Sequence, residues 1–200
     1  ENEYRHYILC KAQCNHLASR LFALGEIAIP PRFYPEPPKA QGTQIINLDI
    51  HSVIPYTPGY SELASMFRKP TIGFFDILDS GFDFMIIGHP GMGKSVALGY
   101  CASRIAELSP EIPPSKLVPF YFHISEIPYH VDKILPLELL AKNIIDNSLL
   151  LNETAIQEFV NNIFVNNRAI LLIDGMDELV PEEFKVASKF ITALKETYQN

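Results

Sequence analysis

No apolar run in these 200 residues approaches the ~20 consecutive positions that a membrane-spanning helix needs, so an integral membrane segment is excluded. Basic residues are in short supply: 16 Lys and Arg stand against 23 Asp and Glu, a formal net charge of -7. A protein that works mainly by coating nucleic acid needs a basic surface, so no direct nucleic-acid binding is expected. Cysteine is scarce and odd in number, at Cys10, Cys14 and Cys101. Such a set is no disulfide framework, and a reducing, cytoplasmic setting is the expectation. No secretory pattern opens the chain, since Glu1, Asn2 and Glu3 are acidic and polar. What is plentiful is apolar side chain, 48% of residues against 20% charged. That suffices for a packed core and excludes disorder as the main state. The missing initiator methionine and the helical pattern running to Asn200 are those expected of a piece of a longer polypeptide.

Along the chain, Tyr7, Cys10, Cys14, Leu17, Leu21 and Leu24 recur at steps of three and four. That spacing predicts one long amphipathic helix over 4–24, docked by this stripe and stopped by Gly25. Pro30, Pro31, Pro35, Pro37 and Pro38 then predict an extended linker, because proline fixes its own torsion and restricts its predecessor. Thr43 to Ile54 reads as a short strand or extended lead-in, and Ser61 to Arg68 as a helical turn. From Phe82 the pattern becomes regular. Strands are predicted over 82–87, 117–124 and 169–173, the last purely apolar and therefore buried on both faces. Helices are predicted over 95–108, 136–147, 152–165 and 181–198. Strands alternating with helices imply an α/β fold with a parallel sheet.

Gly88, His89, Pro90, Gly91, Met92, Gly93, Lys94 and Ser95 match the pattern G-x-x-x-x-G-K-[ST] between a predicted strand and a predicted helix. A chance match in a chain of ordinary composition is on the order of 1%, so the motif is specific. Glycines let the backbone curl so that successive N–H groups point at phosphate oxygens. The helix beginning near Lys94, with Val96 in its first turn, adds the positive end of its dipole. Lys94 supplies a charge for the β- and γ-phosphates, and the Ser95 hydroxyl is suited to Mg²⁺. The apolar strand Ala169–Ile173 ends in Asp174, whose carboxylate is expected to face the same crevice and to serve Mg²⁺. Asp177 and Glu178 follow, and one of them is placed to orient or deprotonate an attacking water.

The run Ile170, Leu171, Leu172, Ile173, Asp174, Gly175, Met176, Asp177, Glu178 and Leu179 resembles the extended Walker B motif of NACHT-type NTPases, members of the signal-transduction (STAND) ATPases among the AAA+ relatives. The small residue after the first aspartate and the acidic pair beyond it carry the likeness. The phosphate loop with Pro90 before Gly91, the run Pro119–Ile124 and the helix start Pro136–Leu140 are similar too. The resemblance covers about 82–200. It implies a three-layer P-loop NTPase sheet, truncated, preceded by an N-terminal helix and the Pro-rich linker. In that reading 1–28 is the helix, 29–80 the linker and lead-in, and 81–200 a partial NACHT domain. It further implies ATP or ADP with Mg²⁺ as ligands, nucleotide exchange as a switch, self-oligomerisation on opening, and a role in signalling or defence. The family's next strand, which carries its sensor residue, lies beyond Asn200, so weak or no hydrolysis is expected of this chain alone.

A metabolic P-loop phosphotransferase needs a lid with arginines, and only Arg104 and Arg168 follow the phosphate loop. A nucleotide-binding scaffold without hydrolysis uses the same binding residues and stays open as an alternative. Cys10 and Cys14, near His6 and His16, lack a second ligand pair for a metal and read as core or surface residues. His123 reads as a satisfied core or edge histidine, Arg168 as the start of a strand, and Tyr56 with Pro58 as residues that can lie over an adenine.

Overall fold

The computed structural model describes residues 1–14, 16, 18–33, 71–79, 83–108, 117–127, 135–148 and 152–198. The strand expected over 43–54, the turn over 61–68, and Tyr56 and Pro58 lie outside them. The chain divides into two compact units, one of Glu1–Ala28 with Ser95–Asn200, the other of Ile29–Lys94.

The first unit opens with helix α1 (Asn2–Gln13), and α2 (Leu24–Ile27) is a single turn. After the second unit comes α4 (Lys94–Ala106), whose first residue belongs to that second unit. Strand β3 (Val118–His123), α5 (Pro136–Asn147), α6 (Glu153–Val165), β4 (Ala169–Asp174) and α7 (Pro181–Tyr198) complete it. The second unit contains β1 (Arg32–Phe33), β2 (Ile72–Gly73) and α3 (Phe74–Asp79).

Strands β3 and β4 pair in parallel, from Val118 with Ala169 to His123 with Asp174. Parallel neighbours need a crossover, and α5 and α6 supply it. Pro136 starts α5, where its missing N–H is no loss, and the Asn152 side chain caps α6 by accepting from the Ala155 N–H. Val118, Phe120, Tyr121 and Phe122 are all buried, so β3 is the centre of the core. The Phe120 ring packs edge-on against Phe164 of α6, and α7 turns Ala187, Phe190 and Leu194 inward at helical spacing. Strand β4 is less buried than its composition predicts: only Leu172 is fully enclosed. Among the described residues β4 is bonded to one strand, β3, and its second edge has no strand beside it.

Two further expectations are corrected. The N-terminal helix ends at Gln13 and buries a different face: Tyr4, Arg5, Ile8 and Ala12, with Cys10 and Cys14 exposed. The reason is an arginine that acts as a core residue. Arg5 is 4% exposed, and its guanidinium donates to the carbonyls of Ile105 (2.9 Å) and Leu117 (2.7 Å). The Tyr4 hydroxyl donates to the Pro119 carbonyl at 3.0 Å, so α1 is stitched to β3. Beyond α1 the Gln13 amide donates to the Phe22 carbonyl (2.7 Å) and accepts from the Leu24 N–H (2.6 Å), which folds the chain back. Gly25 lies inside α2 and stops nothing.

The second correction concerns the strand expected over 82–87. Residues 83–89 form no regular element, and Met85 and Ile87 are 74% and 79% exposed. A strand exists only where a neighbour accepts its hydrogen bonds. Among the described residues of the second unit, the pairing is β1 with β2, antiparallel, Arg32 opposite Gly73 and Phe33 opposite Ile72. Phe84 is held by its side chain instead, ring to ring with buried Phe74 at 5.8 Å.

Candidate functional site

The glycine-rich loop lies in the second unit and ends at the first residue of α4. Met92 N–H bonds back to the His89 carbonyl (3.2 Å), closing a turn around Pro90 and Gly91. Gly91 and Gly93 have φ of 81° and 79°, the left-handed region where a side chain is strained. Glycine at 91 and 93 is thus required by the backbone curl itself. Lys94 folds its ammonium back onto the Gly88 carbonyl at 2.9 Å, across the loop it terminates. His89, Pro90 and Met92 are exposed, and Gly88 is half-buried. Ser95 is exposed and Val96 half-buried in the first turn of α4.

In the first unit, a cavity of about 220 Å³ is lined by Lys11, Ser95, Tyr121, His123, Glu126 and Asp174. It therefore brings together Ser95 and Asp174, the two residues expected to serve Mg²⁺, from elements far apart in sequence. A hydroxyl and a carboxylate lining one cavity are oxygen donors of the kind a hard divalent cation takes, so the donor set fits Mg²⁺. Asp174 is half-buried, and its Oδ1 accepts the Gly175 N–H at 3.0 Å.

Two short turns frame the strand tips. After β4, Met176–Glu178 forms a single 3₁₀ turn that leaves Asp177 and Glu178 exposed. Gly175 makes it possible, with φ of 79°. A Cβ there would land on the His123 imidazole, so glycine is demanded by sterics as well as torsion. After β3, Ile124–Glu126 forms the matching turn. The Ser125 N–H donates to His123 Nδ1 (3.3 Å), and the Ser125 hydroxyl lies 2.7 Å from the same nitrogen. A backbone N–H can only donate, so Nδ1 accepts and the neutral ring carries its proton on Nε2. That nitrogen faces Glu178 Oε2 at 3.4 Å. The histidine read from sequence as merely satisfied is thus in contact with one of the two expected water-orienting acids.

Lys11, Tyr121 and Glu126 were not legible as site residues. Lys11 Nζ pairs with Glu126 Oε2 and lies 6.0 Å from the ring centroids of Tyr7 and Tyr121. Burial, with the negative charge of Glu126, pushes the Tyr7 hydroxyl up to about 12. The one available signal was Glu126 three residues beyond a strand tip. Cys10 Sγ lies 3.7 Å from His6 Nε2. Among the described residues no three His, Cys, Asp or Glu side chains converge as a metal cluster. None of the described helices is long and apolar enough to cross a membrane.

Compared with known families, the chain matches the NACHT domain over residues 84–197, more than half its length, and it belongs to that family. NACHT domains are nucleotide-binding P-loop NTPases, which agrees with the loop, the parallel strand pair and the acidic strand end described above. No curated protein and no solved structure matches the chain.

Proposed function

We propose that this NACHT-family chain is the ATP-binding part of a regulatory switch for signalling or defence, in which exchange of ADP for ATP drives self-association. The observation that carries the reading is the cavity lined by both Ser95 and Asp174. The glycine-rich loop is the phosphate-binding element, through the amides of 88–93 and through Lys94 once its ammonium leaves the Gly88 carbonyl. Ser95 and Asp174 hold Mg²⁺, which when bound neutralises charge on the phosphates. Asp177 and Glu178 orient the attacking water. His123 Nε2–H, directed at Glu178, fixes where that carboxylate points. Slow hydrolysis is then the step that resets the switch.

Titration of the chain with fluorescent ATP and ADP tests this. Mg²⁺-dependent binding that is lost in Lys94→Ala and weakened at least tenfold in Asp174→Asn is the expected result. Binding indifferent to Mg²⁺, or unaffected by Lys94→Ala, overturns it. Sedimentation with ATP against ADP reads the self-association. If hydrolysis is part of the cycle, Asp177→Asn with Glu178→Gln lowers turnover while sparing binding; unchanged turnover identifies a scaffold instead.

A further inference from the structure

One lining residue of the cavity at the tips of β3 and β4 comes from outside the span 84–197 that matches the family: Lys11, on α1. Among the lining residues it is the one permanent positive charge. Its backbone is anchored independently of the cavity, by Tyr4 on the Pro119 carbonyl and by Arg5 on the carbonyls of Ile105 and Leu117. The ammonium is therefore delivered to the cavity by a rigid, packed helix, as a preorganised binding group must be. Its partner there is Glu126, whose own main chain is fixed by the Asn143 amide donating to its carbonyl at 3.0 Å.

We propose that Lys11 is a phosphate-binding residue of this site, with Glu126 as the counter-ion that keeps the ammonium at the cavity wall. The proposal rests on the nucleotide reading above. A lysine has three donors, so it can stay bonded to Glu126 and still turn two N–H groups inward. Without Lys11, Glu126 and Asp174 would present two carboxylates to an incoming phosphate and repel it. With Lys11, the Glu126 charge is neutralised and a donor is added.

Mg²⁺-dependent binding of fluorescent ATP to the chain tests this, with Lys94→Ala as reference. Lys11→Gln weakens binding by about tenfold, the scale of a hydrogen bond to a charged group. Glu126→Gln breaks the same ion pair yet tightens binding severalfold, because it removes a negative charge and releases the ammonium. Opposite signs for the two variants are the signature, since a mere tether between α1 and the β3 turn would be cut equally by either. If both weaken binding alike, or if Lys11→Gln binds as the parent does while Lys94→Ala has lost binding, Lys11 is a tether and the proposal falls. If Lys94→Ala itself binds normally, the nucleotide reading has failed and this one goes with it. Thermal midpoints of both variants check that α1 stays docked.

Discussion

Replacing Gly175 with alanine tests the geometry of the strand tips most sharply, because one substitution meets two separate obstacles. The first is torsional. At φ of 79° an alanine is in the left-handed region, which costs about 1–2 kcal/mol. The second is steric: the new Cβ falls on the His123 ring, which has to swing away. Swinging breaks the Ser125 N–H bond to Nδ1, worth about 0.5–1.5 kcal/mol. It also gives up the contact with Glu178, whose side chain is 71% exposed, so that pair is discounted to below about 1 kcal/mol. The whole change is about 2–4 kcal/mol. The two obstacles separate in a double-mutant cycle with His123→Ala, read as urea midpoints at constant slope. With the ring gone, Gly175→Ala retains only its torsional cost, so the two substitutions couple by about 1–2 kcal/mol. Equal destabilisation by Gly175→Ala in both backgrounds would falsify the claim that the ring occupies that space.

Three other expectations follow from the packing. Arg5→Met keeps the aliphatic stem but removes the donors to the carbonyls of Ile105 and Leu117, and lowers stability by about 3 kcal/mol in urea unfolding; Arg5→Lys loses less. Partial burial opposes ionisation of Glu1, but the hydrogen bonds and charges of Arg168 and Arg5 outweigh it and hold its carboxyl below the usual range. Its contribution is therefore present above about pH 4.5 and lost as pH falls through the lower folded value, so the stability gap between parent and Glu1→Gln narrows in acid. Cys10 and Cys14 are exposed and react promptly with a maleimide, whereas Cys101 is enclosed and burial pushes its thiol well up, so it reacts only on unfolding; three fast thiols would contradict the packing of α4.

What the sequence made legible was local. Pro136 and Pro181 at helix starts and the apolar run into Asp174 each announce their element through backbone chemistry that needs no distant partner. The glycine-rich loop was legible because torsions at Gly91 and Gly93 impose the residue type. What stayed hidden depends on partners far along the chain. The buried face of α1 could not be read by hydropathy, since Arg5 counts as polar until the carbonyls of Ile105 and Leu117 are seen to receive it. Phe84–Ile87 has the composition of a strand, but composition supplies no neighbour to bond with. His123 and Lys11 gain their meaning only from the β3–β4 register and from the docking of α1.

That register also explains why the polar groups at the tips of β3 and β4 form one connected piece. Pairing His123 with Asp174 brings both strands to an end at the same level, and each is followed, β3 directly and β4 after Gly175, by a 3₁₀ turn with glutamate as its third residue. His123 is gripped by both turns: its N–H donates to Glu126 Oε1 at 3.3 Å, while its ring faces Glu178. Glu126 in turn carries Lys11 on its other carboxylate oxygen and Asn143 on its carbonyl. Lys11, Glu126, His123 and Glu178 are therefore linked by consecutive polar contacts, from a helix outside the matched family span to an acid in the turn after β4. Such a chain of contacts has few independent ways to move. Glycine at 175 is the point where it admits no larger side chain, which is why a small residue belongs between the strand-end aspartate and the acidic pair.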